Sequence, residues 1–250
     1  MAQIDRSFAG EGIIYARAYQ SNDPLLDIGN CDSFDISFSS DVSKLKNYRG
    51  GGGNRNIREV VSDVTAKIGM YDLTATNVAR VTRSTVVAVA AGAIVNEVLA
   101  CAGVEGELIP FKNLPDLTVA PVIKTAGDVA LVAGTDYLLS PHGILVTAAS
   151  GITAAGIKAT YTKLAASALQ LLNGSQVELE FYIAGLNDAQ SGEPFSLRPR
   201  RAKLGLLSEL KVFGQEYLKL DASAELLADP LVLSSDLSKF CEMKMVNKAA

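Results

Sequence analysis

Apolar and polar residues alternate strictly, over runs long enough to leave few folds open to this chain. In "LLDIGNCDSFDISFSS" the apolar residues Leu26, Ile28, Phe34, Ile36 and Phe38 face Asp27, Ser33, Asp35, Ser37 and Ser39. In "REVVSDVTAKIGMYDL", Val60, Val64, Ala66, Ile68 and Met70 share one side, and Glu59, Asp63, Thr65 and Lys67 the other. "QVELEFYI" sets Val177, Leu179, Phe181 and Ile183 against Glu178, Glu180 and Tyr182. "EYLKLDASAELL" sets Leu218, Leu220, Ala222, Ala224 and Leu226 against Lys219, Asp221, Ser223 and Glu225. Period two is the signature of strands with one buried and one wet face, and antiparallel sheets are where such strands belong. The spacing therefore predicts a mainly β, antiparallel sandwich or barrel-like fold.

A strand of ~14 residues reaches about 45 Å, well beyond the usual five or six residues. The first two runs flank "SSDVSKLKNYRGGGGNRN" and read as one extended hairpin whose tip is a loop over residues 40–56. Four consecutive glycines in that loop lose much backbone entropy if fixed, so they stay loose or are held by a partner. One short helix is predicted over Thr74–Arg83, with Thr74 as N-cap, Leu73 as staple and Val78 and Val81 on one face. "KLAASALQLLNG", with a stop at Gly174, is a second helix candidate. Residues 85–162 have a different texture, rich in Val, Ala and Gly, and read as short strands joined by turns. "TDYLLSPHGILVT" is a hairpin with Pro141-His142-Gly143 at its tip. The organisation expected is a β core of residues 1–84 and 163–250, with 85–162 an insertion or an outer part of that core.

A chain that is 48% apolar and 20% charged should fold. Its net charge of −4 argues against gripping nucleic acid, though not against letting it pass. Cys31, Cys101 and Cys241 lack metal-ligand spacing and read as free thiols in a reducing compartment. "MAQIDRSFAGEG" has no apolar h-region, and "STVVAVAAGAIVN" is too short to span a bilayer, so neither a signal peptide nor membrane binding is expected.

Patterns that carry chemistry fail one by one. "RGGGGNRNI" lacks the Lys-Ser/Thr and the following helix of a phosphate loop. "GEGIIY" has Tyr15 where a dinucleotide fingerprint needs its third glycine. His142, the single histidine, sits in a turn with no nucleophile elbow elsewhere. The acids identify no catalytic pair, and the "NGS" sequon at Asn173 reads as chance. "RPRRAK" is the one basic cluster: Arg198, Arg200, Arg201 and Lys203 are either a solvated loop or an inter-subunit surface meeting an acidic partner. No enzyme, cofactor or metal is expected.

Long edge strands demand pairing, within the chain or around a ring of copies. The order of motifs is similar to that of the major tail tube proteins of tailed bacteriophages. "PLLDIGNCDSFDIS", a long loop and "IGMYDLTATNVARVT" come first. A middle segment with "TDYLLSPHGILVT" and "GIKATYTK" follows, then "ELEFYIAGLNDAQSGEPFSLRPRRAKLGLLS" and "EYLKLDASAELLADP". Together these cover most of the chain.

The resemblance implies a structural virion protein, assembled in the host cytoplasm, whose copies form hexameric rings with inner sheets joined into one β-barrel. Rings would stack into the tail tube that conducts the genome during ejection. The partners implied are further copies, the tape measure protein, the tail terminator and distal tail or baseplate proteins, with DNA passing unbound. Four strands from each of six copies would close at about 48 Å backbone diameter, leaving ~35–40 Å for a duplex of about 20 Å. The family's ring-stacking loop would map onto Lys44, Arg49, Gly50, Gly51, Gly52, Gly53 and Arg55. The channel lining would be Asp27, Asp35, Asp63, Glu178 and Glu180, whose charge repels phosphates. The alternatives are a monomeric Ig-like β-sandwich binding or adhesion module, or a single-ring tail component such as a terminator or distal tail protein.

Overall fold

The computed structural model describes residues 7–246, so Met1–Arg6 of the opening stretch lie outside it. The chain divides into two compact units: unit 1 runs up to Thr85 and resumes at Leu169, and unit 2 is Val86–Ala168. Unit 1 begins with β1 (Gly10–Ala18), β2 (Leu26–Asp27), β3 (Cys31–Lys46), β4 (Asn54–Met70) and α1 (Ala75–Thr82). Next come β5 (Thr85–Val89), β6 (Gly92–Leu99), β7 (Leu108–Pro110), β8 (Val122–Thr125), β9 (Tyr137–Ser140), β10 (Gly143–Val146), β11 (Ile157–Lys163) and β12 (Ala166–Gln170). Unit 1 is completed by β13 (Glu178–Asn187), β14 (Glu193–Pro199), β15 (Ala202–Leu204), β16 (Leu220–Leu226) and β17 (Cys241–Met245).

In unit 1 the strands form one antiparallel sheet in the order β17-β14-β13-β15-β16-β4-β3, with β1 on the other edge of β13 and β2 beyond it. Laid flat, β13 and β3 would stand four strand spacings apart, about 19 Å. Yet the Phe34 ring of β3 lies 5.7 Å from that of Phe181 on β13, edge to face. The sheet is therefore folded back on itself, and the bend is visible in the register. Glu178 and Leu179 of β13 pair with β15, whereas Ile183–Asn187 pair with β14 on the same edge. One layer is β15-β16-β4-β3, the other β1-β13-β14-β17, and the expected sandwich is present.

Alternation built the core between these layers. Leu220, Ala222, Ala224 and Leu226 of β16, Val64, Ala66, Ile68 and Met70 of β4, and Leu179, Phe181 and Ile183 of β13 are all buried in one cluster. Burying a large apolar side chain is worth roughly 1.5–3 kcal/mol, and the small alanines at 66, 222 and 224 let the layers approach. Helix α1 packs Val81 into the same core, and Thr74 caps it by accepting from the Asn77 N–H at 3.2 Å.

Four expectations need correction. The alternation from Leu26 to Ser39 is not one strand: Gly29, with φ of +91°, breaks it between β2 and β3. The tip loop is not residues 40–56, because β3 and β4 pair as far as Lys46 and Asn54, leaving only residues 47–53 as loop. Val60 is not on the core side. Ser39 pairs with Asp63 but Ser40 with Val61, so Ser62 is an extra residue, and this bulge turns the residues from Val61 back to Asn56 to the opposite face. Finally, the second helix candidate is β12, paired with β5. Its alanines and leucines favour a helix locally, but the available partner is a strand.

Unit 2 has its own core, in which Ile109, Ile123, Ile144, Ile157 and Ala159 are buried between the sheets β7-β10-β9 and β6-β11-β8. Phe111 stacks on Tyr161 at 4.7 Å. The 137–147 hairpin is present, with Gly143 inside β10 and Pro141-His142 alone forming the turn.

Candidate functional site

The face of the β15-β16-β4-β3 layer that points away from the core is a ladder of polar side chains. Cross-strand register aligns Glu178, Lys203, Glu225, Thr65 and Ser37 in one row, and Ser223, Lys67 and Asp35 in the next. Asp63 lies opposite Ser39 further along. Of the five acids expected on one surface, Asp35, Asp63 and Glu178 share this face. Asp27 and Glu180 do not. Asp27 pairs with Tyr15, and Arg17, two residues on, pairs with Glu180, which puts both acids on the outside of the opposite layer. The fold-back at β13 is the reason: one side of a continuous sheet becomes two sides of the sandwich. Asp221 and Glu225 belong on the face with Asp35. Their alternation on β16 had marked them as polar, but only register places them beside β4.

Glu180 is, moreover, no free charge. It is buried, accepting from Arg17 at 2.9 Å and from Arg198 Nε at 2.8 Å. Glu178 accepts from Arg201 at 2.7 and 3.0 Å. Much of the basic cluster is thus engaged within its own subunit. Arg198 and Arg201 are paired within the chain. Arg200 donates to the Ser238 carbonyl at 3.0 Å and lies 3.8 Å from Glu242. Lys203 stands between Glu178 and Glu225 in the row described above. Arg201 also sits over the Tyr19 ring, whose hydroxyl donates to buried Asp229 at 2.7 Å.

The Arg201 hydrogen bonds hold the Glu178 carboxyl below its usual range, against the opposing effect of burial, with Lys203 adding to them. A depressed folded-state value means the pair stabilises the fold above the unfolded carboxyl pKa of about 4.3 and is lost as pH falls through the lower folded value. Arg201→Gln should therefore lower the melting temperature at neutral pH, and the gap to the unaltered chain should close in acid. An equal gap at pH 7 and pH 3 would contradict this.

The residues assigned to stacking occupy two settings. Lys44 lies on β3, and Arg55 is the extra residue of a second bulge on β4, opposite the step from Leu45 to Lys46. Arg49 and Gly50–Gly53 form the tip. The four glycines have φ from +70° to +92°, and added Cβ atoms would meet nothing within 4 Å. Asn47 shapes the turn, its side chain donating to the Gly50 carbonyl at 2.7 Å and accepting from the Arg49 N–H at 3.0 Å. Every residue from 54 to 63 is exposed on both faces.

At the opposite end of β3, Asp27, Asp32 and Asp72 surround Cys31, whose thiol is pushed up to about 11, first by burial and then by these charges. Lys219 bridges Asp32 at 2.7 Å and Asp221 at 3.1 Å. The "GEGIIY" stretch lies in β1, where the close approach of Ala184 leaves no room for a Cβ at Gly12. His142 is exposed, and all three cysteines are free thiols. Among the described residues no group of three or more His, Cys, Asp or Glu is placed to hold a metal, and no helix is long and apolar enough to cross a membrane.

The model of one family, described as a protein of unknown function, UCP028589, matches residues 7–244. No curated protein matches the chain.

Proposed function

The chain belongs to that uncharacterised family, and we propose that it is a structural subunit whose copies close into hexameric rings and stack as a phage tail tube. One observation carries the reading: the layer β15-β16-β4-β3 has a polar outer face and ends in β3, sixteen residues long, with no partner on its free edge among the described residues. A strand of that length exposes a row of unpaired N–H and C=O groups, a template for another chain. Pairing it with a strand edge of a neighbour, around a six-fold axis, would satisfy the row and turn the polar faces inward. The four strands per copy are the number the channel arithmetic uses.

In that arrangement Asp35, Asp63, Asp221 and Glu225 line the channel with Lys67 and Lys203 between them. A lining of mixed sign and slight acidic excess releases few counterions to a passing duplex and so does not hold it. The tape measure protein would occupy the channel during assembly, and terminator and distal tail proteins would close its ends.

Negative-stain electron microscopy of the purified chain over a concentration series tests the reading. Six-fold rings or hollow tubes are expected. Rings that never stack would favour a terminator or distal tail protein, and single particles at every concentration would favour a monomeric module.

A further inference from the structure

The outer half of the β3–β4 hairpin is a sheet without a second layer. Strand β16 stops pairing with β4 at Thr65, so from Ser39 to Lys46 the two strands run on alone for about 27 Å. On the side continuous with the sandwich core, Phe38, Val42, Ile57 and Val61 are each roughly half exposed or more. An apolar face that extends a core outward and is left uncovered calls for an occupant.

Charge says what that occupant is. Residues 40–61 carry five cations, Lys44, Lys46, Arg49, Arg55 and Arg58, against two acids, Asp41 and Glu59. Glu59 is engaged by the Ser40 hydroxyl at 2.5 Å, whereas none of the five cations has an ion pair among the described residues. The other end of the same strands gathers acids: Asp27, Asp32 and Asp72 lie around Cys31, with Asp221 beside them, and Lys219 is shared between Asp32 and Asp221. From Asp32 to Lys46 is about 48 Å along β3, several Debye lengths at physiological salt, so the two ends cannot neutralise each other within one molecule. Two copies aligned head to tail can.

We infer that the hairpin's outer half docks on the acidic end of a second copy, seating its apolar face there and matching its cations to Asp27, Asp32 and Asp72. The contact is heterologous: each copy offers one hairpin and one acidic end, so it propagates along the strand direction without closing. This rests on the ring reading and names the surface that receives each hairpin in the next ring. It also sets polarity, because two acidic ends repel.

The test uses the full chain carrying Arg55→Glu with Arg58→Glu, the full chain carrying Asp27→Lys with Asp32→Lys, and all four changes together. Circular dichroism checks folding and sedimentation reads stacking. Each double variant should form rings that do not sediment as tubes, and the fourfold variant should recover tubes. Raising salt to about 1 M, where the Debye length is near 3 Å, should dissolve tubes of the unaltered chain into rings. Double variants that make tubes as the unaltered chain does would overturn the inference and leave the ring reading intact. So would a hairpin whose cations bind duplex DNA, with that binding lost in the arginine variant and stacking unchanged. If the unaltered chain forms neither rings nor tubes, both fall.

Discussion

Glu180→Ala should destabilise unit 1 by about 3 kcal/mol, an effect as large as removing a core aromatic. The side chain of Glu180 is 9% exposed and holds two arginines, with Arg17 Nη2 at 2.7 Å and Arg198 Nε at 2.8 Å. Removing it leaves two guanidinium groups facing one another across β13 with no counter-charge, and breaking such a pair from one side is far costlier than replacing it whole. The figure stands at the low end of the range for buried pairs because Arg17 and Arg198 are 29% and 42% exposed and recover some hydration. Replacing all three residues by Met or Leu should therefore come much closer to neutral. Urea midpoints of the two variants decide it. A loss below about 0.5 kcal/mol for the single change, the usual effect of a surface substitution, would mean a solvated carboxylate, as a channel-lining residue would have.

The same residue shows where sequence and structure part. Period two placed the side chains of β13 and β16 on the right faces because each strand is regular and its apolar half meets a core. It could not say that the face of Glu180 and the face of Asp35 look in opposite directions. That depends on where the sheet folds, and the partners of Glu180 lie 163 and 18 residues away. The bulge at Ser62 is a local feature, but a single extra residue has no signature in "VVSDV", and the side chains beyond it turn over. The outer hairpin was hidden for a different reason. Alternation exists because one face is buried, and where no layer covers the strands nothing selects apolar residues at every second position. Backbone pairing, with one cross-strand bond from the Ser40 hydroxyl to Glu59, holds Ser40–Lys46 to Asn54–Val61, and the apolar pattern does not record it. The helix α1 was legible because capping and an apolar stripe are both local. Strand β12 was not, since a run of Ala and Leu joins whichever partner the fold supplies. The three acids around Cys31 come from β2, from β3 and from the connection after β4, so only the folded chain reveals the sign reversal along β3.

Exchanging Gly50–Gly53 for four alanines should leave the melting temperature of the monomer almost unchanged and abolish growth of tubes. All four residues sit at positive φ, where a side chain costs roughly 1–2 kcal/mol each, so the alanines cannot keep the present turn. Nothing packs on them, and the loop is reshaped without disturbing the core some 30 Å away along the strands. What changes is the hairpin end, where Arg49 and Arg55 are aimed by the Asn47 turn and the Leu45–Lys46 bulge. A rebuilt tip points its cations elsewhere, and a docking contact made of apolar face plus matched charge tolerates little misdirection. Rings should still close, because the free edge of β3, which in the proposed ring pairs with a neighbour, begins at Cys31, far from the tip. Rings without tubes by electron microscopy, with an unchanged melting curve, is the expected pair of results. Tubes of normal length would show that the glycines are a tolerated surface loop and that stacking is specified by other residues.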